Sequence, residues 1–131
     1  MIKIQPDIER AKSMINLLKE RKEIIKVLNH HNFPATILEN YYDIIKELIT
    51  ALLYINGLKT TGEGAHIETI DFLKIHKEFS EHELIILQEL RIKRHGSQYY
   101  GKIPPPEFLT QNEAIFKEVI NKLKSILSPK I

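Results

Sequence analysis

The 131-residue sequence contains no cysteine. Without a thiol, the chain cannot form a disulfide, an iron–sulfur cluster, a thiolate zinc site or a cysteine nucleophile, which excludes several classes of enzyme. Its apolar runs are only a few residues long, far below the roughly 20 residues that cross a bilayer as a helix. The N-terminal segment MIKIQPDIERAK lacks an apolar core followed by a small-residue cleavage site. We therefore expect no secretory signal and a cytoplasmic location.

The residues that are present have the composition of a globular protein. Hydrophobic residues make up 43% and charged residues 27%, with only five glycines and six prolines, which excludes collagen-like, low-complexity and wholly disordered chains. A chain of this length buries about two-thirds of its unfolded surface when it folds. We expect one domain that spans residues 1–131.

Positive charge is concentrated near the C-terminus. Residues 1–90 carry 11 basic and 14 acidic side chains, whereas residues 91–131 carry 8 basic and 3 acidic ones. The densest part, RIKRHGSQYYGK, contains Arg91, Lys93, Arg94 and Lys102, two tyrosines and no acid. Such a patch suits an anionic partner, and the simpler alternative is a solvated surface.

Apolar residues recur every three or four positions along most of the chain, which predicts helices. The first helix is predicted over residues 6–29, because Pro6 and Asp7 suit a first helical turn. The segment HHNFPAT then interrupts the pattern at Pro34. Thr36 is predicted to cap the second helix, with Glu39 completing a capping box. That helix should end near Gly57.

Three further helices follow. The third is predicted over residues 65–79, and Ser80 with Glu83 forms a capping box for the fourth. Gly101 and the following IPPP should end the fourth helix. Thr110 with Glu113 is predicted to cap the last one. No strand pattern competes, and short connections favour antiparallel neighbours, so we expect an all-α, up-and-down bundle of four to five antiparallel helices.

The six histidines have no spacing typical of a metal site, since no pair lies at i and i+4 and no HExxH motif occurs. The segment GEGAH is too short for a phosphate-binding loop. We therefore predict no metal site and no cofactor.

Arg94 lies on the same helical stripe as Leu87 and Leu90. A guanidinium on an apolar stripe must find a carboxylate, a carbonyl or a phosphate, because it does not deprotonate. Two alternatives are open: an intramolecular ion pair with an upstream acid, or a clamp for phosphate. His66 also has two interpretations, as a ligand contact or as a neutral histidine hydrogen-bonded to a neighbouring helix.

The segments ENYYDIIKELITALLYINGLKTTGEGAHIETIDFL and LQELRIKRHGSQYYGK, followed by a closing amphipathic helix, resemble the HEPN domain (higher eukaryotes and prokaryotes nucleotide-binding). The specific matches are the ending of the second helix, ALLYINGLK, the position of His66 after a glycine-containing linker, and Arg94 followed by the polar His95. The resemblance implies a helical bundle that is commonly a homodimer, with two copies of the motif brought together at the interface.

In ribonuclease members of that family, the motif is an Arg, a polar residue and then a His some five positions after the Arg. The resemblance implies metal-independent RNA cleavage, with the His as acid and base and the Arg on the phosphate. Arg94 and His95 match the first two positions, and the position of the catalytic His falls on Tyr99. Tyrosine, with an ordinary pKa near 10, is a poor base at pH 7.

The first hypothesis is a HEPN-like protein that binds nucleotide or RNA, a weak or degenerate endoribonuclease of toxin-antitoxin type. Its candidate catalytic residues are Arg94, His95 and Tyr99. The candidate ligand-binding residues are Arg91, Lys93, Tyr100, Lys102 and His66. The alternative is a non-catalytic protein-interaction module that partners a small nucleotidyltransferase.

Overall fold

The computed structural model describes all 131 residues, Met1–Ile131, and the predicted all-α fold is confirmed. Five α-helices are joined by short connections, and a two-stranded ribbon lies beside them. The elements are β1 (Ile2–Lys3), α1 (Ile8–Val27), α2 (Pro34–Ile55), β2 (Leu58–Lys59), α3 (Ala65–Asp71), a 3-10 turn (Phe72–Ile75), α4 (Glu81–Tyr100), α5 (Pro106–Leu127) and a last 3-10 turn (Ser128–Lys130). None of the helices combines the length and apolar character needed to span a membrane.

Helix α2 is the centre of the bundle, and it packs against each of the other four helices. Its near-continuous apolar sequence explains this position, because a helix that is hydrophobic on most of its surface must be covered on most sides. Ile37, Leu48 and Leu52 are fully buried. Polar contacts also join α1 to α2, because Arg21 of α1 donates two hydrogen bonds to Glu47 of α2, of 3.1 and 2.8 Å.

The start of α2 differs from the prediction. The helix begins at Pro34 with Phe33 as its N-cap, so the predicted cap at Thr36 is wrong. Proline is well suited to the first helical position, where its missing amide donor has no intrahelical acceptor. Glu39 does not close a capping box and instead accepts a 2.6 Å hydrogen bond from Ser97 of α4.

Helix α5 shows the same difference. It begins at Pro106, so Thr110 lies inside the helix and donates to the Pro106 carbonyl at 3.3 Å. Glu113, the predicted partner of a Thr110 cap, accepts a 2.7 Å hydrogen bond from the Tyr41 hydroxyl. Helix α1 also starts later than predicted, at Ile8, because the Asp7 side chain caps it by accepting from the amide of Arg10.

Helix α4 carries most of the predicted site residues, and its ends are as predicted. Ser80 and Glu83 form the predicted capping box, with hydrogen bonds of 3.1 and 2.8 Å. The helix passes through Gly96 without interruption and ends at Gly101, whose φ of +64° is readily adopted by glycine. The third helix is shorter than predicted, since α3 gives way to the 3-10 turn that ends at Ile75.

A small ribbon, which the sequence pattern did not predict, anchors the loop before α3. Strands β1 and β2 pair antiparallel, with Ile2 opposite Lys59 and Lys3 opposite Leu58. Gly57 accepts a 2.8 Å hydrogen bond from the Ile4 amide, and a Cβ at Gly57 would lie 2.8 Å from the Ile4 carbonyl oxygen. The absence of a side chain there lets the N-terminal strand approach closely. Two-residue strands are too short for a periodicity of two to be recognised.

Candidate nucleic-acid interface

A cleft of about 410 Å³ lies between α2, the glycine-containing loop, the start of α3 and α4. We call it the arginine cleft. Its walls are formed by Tyr42, Gly62, Glu63, Gly64, Ala65, His66, Ile67, Arg91, Arg94, His95 and Tyr99. The cleft thus brings together the three predicted catalytic residues and two of the predicted ligand-binding residues, Arg91 and His66.

The other three predicted ligand-binding residues do not line this cleft. Lys93, Tyr100 and Lys102 border a separate groove on another side of α4, together with Ile92, Ile103 and the following prolines. His95 borders both depressions. The predicted set is divided because successive helical residues are rotated by about 100°, so a continuous basic sequence covers more than one face. The predicted residues therefore lie in two depressions, and their roles stay predictions.

Arg94 forms the first of the two interactions that the sequence left open, and the second, a clamp for phosphate, stays a prediction. Its Nη2 lies 3.5 Å from Oδ1 of Asp43, so it pairs with an upstream acid, and it also lines the cleft. Asp43 is shared, because Nη1 of Arg21 lies 3.6 Å from its other oxygen. The Arg94 guanidinium also lies over the Tyr42 ring, 5.2 Å from the centroid. The side chain is 15% exposed, and its Nε is buried without a hydrogen-bond partner.

Arg91 is the arginine of the cleft that forms no ion pair with a carboxylate. Its Nε donates a 2.7 Å hydrogen bond to Gln88, whose amide nitrogen lies 3.3 Å from Asp71 of α3. This contact orients the Arg91 side chain and leaves its terminal nitrogens without a carboxylate partner. Glu63 supplies the one carboxylate among the cleft-lining residues. The surplus of cationic groups favours an anionic ligand.

His66 is tied to α2 by a hydrogen bond of 2.5 Å between its Nδ1 and the Tyr42 hydroxyl. This contact confirms the interpretation of His66 as a histidine bonded to a neighbouring helix. Burial, followed by the positive charges of Lys46, Arg94, Arg91 and His95, lowers the pKa of His66 below its ordinary value of 6.5. Burial raises the pKa of Tyr42 to about 12, although Arg94 and Arg91 oppose the change. At pH 7 the pair consists of a neutral imidazole and a neutral phenol.

His95 and the two tyrosines that follow it form an aromatic cluster at the outer edge of the cleft. The His95 ring centroid lies 4.6 Å from that of Tyr99 and 5.8 Å from that of Tyr100. The contact with Tyr99 follows from the i, i+4 spacing, which places both residues on one helix face. Tyr99 is 61% exposed, so its ring is available for stacking with a nucleobase.

Two residues of α2 that orient the cleft were not predicted as site residues. Tyr42 contacts His66 and Arg94, and Asp43 pairs with Arg94. The available signal was the polar segment YYD within a strongly apolar helix, since polar groups at such positions need partners. Glu63 was also missed, although it is the only charged residue in the segment TTGEG.

A second cavity of about 420 Å³, between α1, α2 and α5, contains none of the predicted site residues. No group of three or more histidine, aspartate or glutamate side chains is arranged to hold a metal ion. No protein-family model, curated protein or solved structure matches this chain.

Proposed function

We propose that this protein is HEPN-like and binds the phosphate groups of RNA or of a nucleotide in the arginine cleft. The observation that carries the proposal is the convergence of Arg91, Arg94, His66 and His95 on one cleft that contains a single carboxylate. Guanidinium groups bind phosphate oxygens through charge-assisted hydrogen bonds, often bidentate. A cytoplasmic location belongs to the same proposal.

In this proposal each cleft residue has a distinct part. Arg91 and Arg94 hold a phosphate, and the exposed ring of Tyr99 stacks on a base. His95 accepts the proton of the ribose 2′-hydroxyl as the 2′-oxygen attacks phosphorus, and the imidazolium then donates that proton to the departing 5′-oxygen, which leaves a 2′,3′-cyclic phosphate. Position 99 holds tyrosine where the resembled motif has histidine, so we propose binding with at most weak, metal-independent cleavage.

The exposed face of α4 supports a homodimer. Ile85 and Ile92 are seven residues apart and are 52 and 58% exposed. An apolar stripe with this spacing is suited to pairing with a second helix of the same kind. Pairing along it would bring the edges of two arginine clefts near each other, which fits the proposed RNA-binding role.

The alternative function is a non-catalytic interaction module of a toxin-antitoxin pair, with a small nucleotidyltransferase as its partner. The observation that favours it is the groove on the other side of α4, where the side chains of Ile92, Tyr100 and Ile103 are 58, 70 and 75% exposed. Clustered exposed apolar groups are typical of a protein contact.

Binding of a fluorescein-labelled single-stranded RNA of about ten nucleotides, measured by fluorescence anisotropy in EDTA, tests the proposal. We expect Arg91→Gln to weaken binding about tenfold or more, because it removes charge-assisted hydrogen bonds. Lys93→Gln removes the same charge from another face of α4 and should change the affinity less than about twofold. Gel electrophoresis of the same samples detects cleavage.

The salt dependence distinguishes the two functions. Phosphate binding should weaken steeply between about 50 and 200 mM salt, whereas an apolar protein contact should not. Equal losses in Arg91→Gln and Lys93→Gln would show nonspecific attraction and would refute a role of the cleft. If the wild-type protein does not bind RNA at low salt, the proposal fails and the interaction module becomes the better hypothesis.

A further inference from the structure

The hydrogen bond between Tyr42 and His66 determines which nitrogen of His66 carries the proton. Tyr42 is 3% exposed, and its hydroxyl has one hydrogen-bond partner, Nδ1 of His66. A neutral imidazole has one donor nitrogen and one acceptor nitrogen, so the direction of this bond sets the tautomer. The direction follows from the surroundings of the hydroxyl group.

Tyr42 must donate in this bond. If its oxygen accepted a proton from Nδ1, the hydroxyl proton would have no acceptor among the surrounding protein groups, which is unfavourable. When Tyr42 donates, Nδ1 is the acceptor, and Nε2 carries the proton of the neutral ring. Because His66 also lines the arginine cleft, this N–H group is the donor that remains for a ligand.

The charges around His66 favour the neutral ring. The groups near His66 are mostly basic: Lys46 of α2, and Arg91, Arg94 and His95 of α4. Glu63, on the loop before α3, is the one acid that lines the cleft. An imidazolium would be repelled by these groups and would also lose solvation. A neutral N–H donor meets neither penalty and still interacts favourably with an anionic oxygen.

We propose that Tyr42 is a positioning residue that holds His66 as a neutral imidazole with its Nε2 proton available to a phosphate oxygen. The proposal rests on the proposed function, because phosphate is the anion that the cleft is proposed to bind. It gives the two histidines different roles. His66 is a fixed hydrogen-bond donor across the neutral pH range, and proton exchange is left to His95.

The first test is the protonation state of His66 in the full-length wild-type protein without RNA. Long-range ¹⁵N–¹H correlation spectra distinguish a protonated ring nitrogen from an unprotonated one. We expect an unprotonated Nδ1 and a protonated Nε2 at pH 7, and titration below an ordinary histidine pKa. The opposite tautomer, or a charged ring at pH 7, would overturn the proposal.

The second test compares Tyr42→Phe with Tyr41→Phe, using the same labelled RNA. Both variants remove one buried hydroxyl from α2, but the Tyr41 hydroxyl bonds to Glu113 on α5, away from the cleft. We expect Tyr42→Phe to weaken binding about fivefold and Tyr41→Phe less than about twofold. The Tyr42→Phe effect should be similar at about pH 7.5 and about pH 8.5, because the pKa of His66 is lowered below 6.5 and the ring is neutral at both pH values. The His66 nitrogen signals should also lose the single-tautomer pattern in Tyr42→Phe.

Three outcomes separate this proposal from the proposed function. Unchanged nitrogen signals and unchanged affinity in a folded Tyr42→Phe protein would overturn the positioning role while leaving RNA binding intact. Equal losses of RNA affinity in Tyr42→Phe and Tyr41→Phe would also overturn the positioning role, since they would show a general effect of lost stability. If the wild type binds no RNA, the proposed function fails, and with it the proposal that a phosphate oxygen accepts the Nε2 proton. The nitrogen signals would still show which ring nitrogen of His66 carries the proton.

Discussion

Replacement of Asp43 by asparagine should strengthen RNA binding while it weakens the fold. Asp43 is the carboxylate nearest to Arg94 and lies between two guanidinium groups, 3.5 Å from Arg94 and 3.6 Å from Arg21. Both distances are long for charge-assisted hydrogen bonds, which are usually 2.7–2.9 Å. The carboxylate therefore acts on Arg94 mainly through its charge, which opposes an approaching phosphate.

The size of the effect can be worked out from this geometry. A phosphate on the far side of the Arg94 guanidinium would lie roughly 7 Å from Asp43, where one unit charge at an effective dielectric constant of about 40 contributes about 1 kcal/mol. Removal of that repulsion should strengthen RNA binding about fivefold. Asparagine keeps an oxygen near Arg94, so the side chain stays in place. Loss of two partly exposed ion pairs should lower the free energy of unfolding by about 1 kcal/mol.

Glu47→Gln is the matched control, because it removes the other carboxylate bonded to Arg21 and does not contact Arg94. It should lower the free energy of unfolding at least as much, because Glu47 accepts two short hydrogen bonds from Arg21, and it should leave the RNA affinity unchanged. Anisotropy titrations and urea denaturation measure the two quantities. Weaker or unchanged RNA binding by folded Asp43→Asn would refute the view that Arg94 is a phosphate ligand restrained by Asp43.

Three further predictions concern α4. Burial alone would raise the pKa of Glu83, but hydrogen bonds from Lys122 and the Ser80 amide outweigh burial, and the pKa is lowered. Above the unfolded-state pKa of about 4.3, the wild type should therefore be more stable than Glu83→Gln by about 2 kcal/mol in urea denaturation. This difference in stability should disappear as the pH falls through the folded-state pKa. Tyr99→Ala should weaken RNA binding about tenfold by loss of a stacking ring, and an equal effect of Tyr100→Ala in the same titration would contradict the placement of the base. Ile92→Glu should convert a dimer to a monomer in light scattering without loss of helical circular dichroism, and a monomeric wild type would contradict the proposed pairing.

Much of the fold could be predicted because its signals are local. The Ser80 and Glu83 capping box and the glycine stop at Gly101 depend on neighbours within a few residues. The errors at Thr36 and Thr110 have one physical cause. A threonine followed three positions later by a glutamate places both side chains on one helix face, so the same pattern that closes a capping box also occurs inside helices, where the acid serves a tertiary contact.

The candidate site was only partly predictable, because its residues come from elements distant in sequence. Arg91, Arg94 and His95 share one helix, and their spacing was informative. Nearness in sequence predicts Lys93 and Tyr100 as site residues, yet the rotation of the helix places them at a different groove. The contribution of α2 depends on how it packs against α3 and α4, which periodicity does not reveal.

Helix α2 links the stability of the protein to the geometry of its cleft. Tyr42 and Asp43 are adjacent in the most buried helix, and each holds one proposed ligand group: Tyr42 bonds to His66, and Asp43 pairs with Arg94. A rigid, packed helix is well suited to this task, because side chains fixed by their surroundings hold their partners in one arrangement. Shifts of α2 should therefore displace His66 and Arg94 together, whereas Arg91, held by Gln88 of its own helix, should keep its orientation. A core substitution such as Leu48→Ala should lower the free energy of unfolding by about 2–5 kcal/mol. It is thus expected to weaken the contributions of His66 and Arg94 to RNA binding more than the contribution of Arg91.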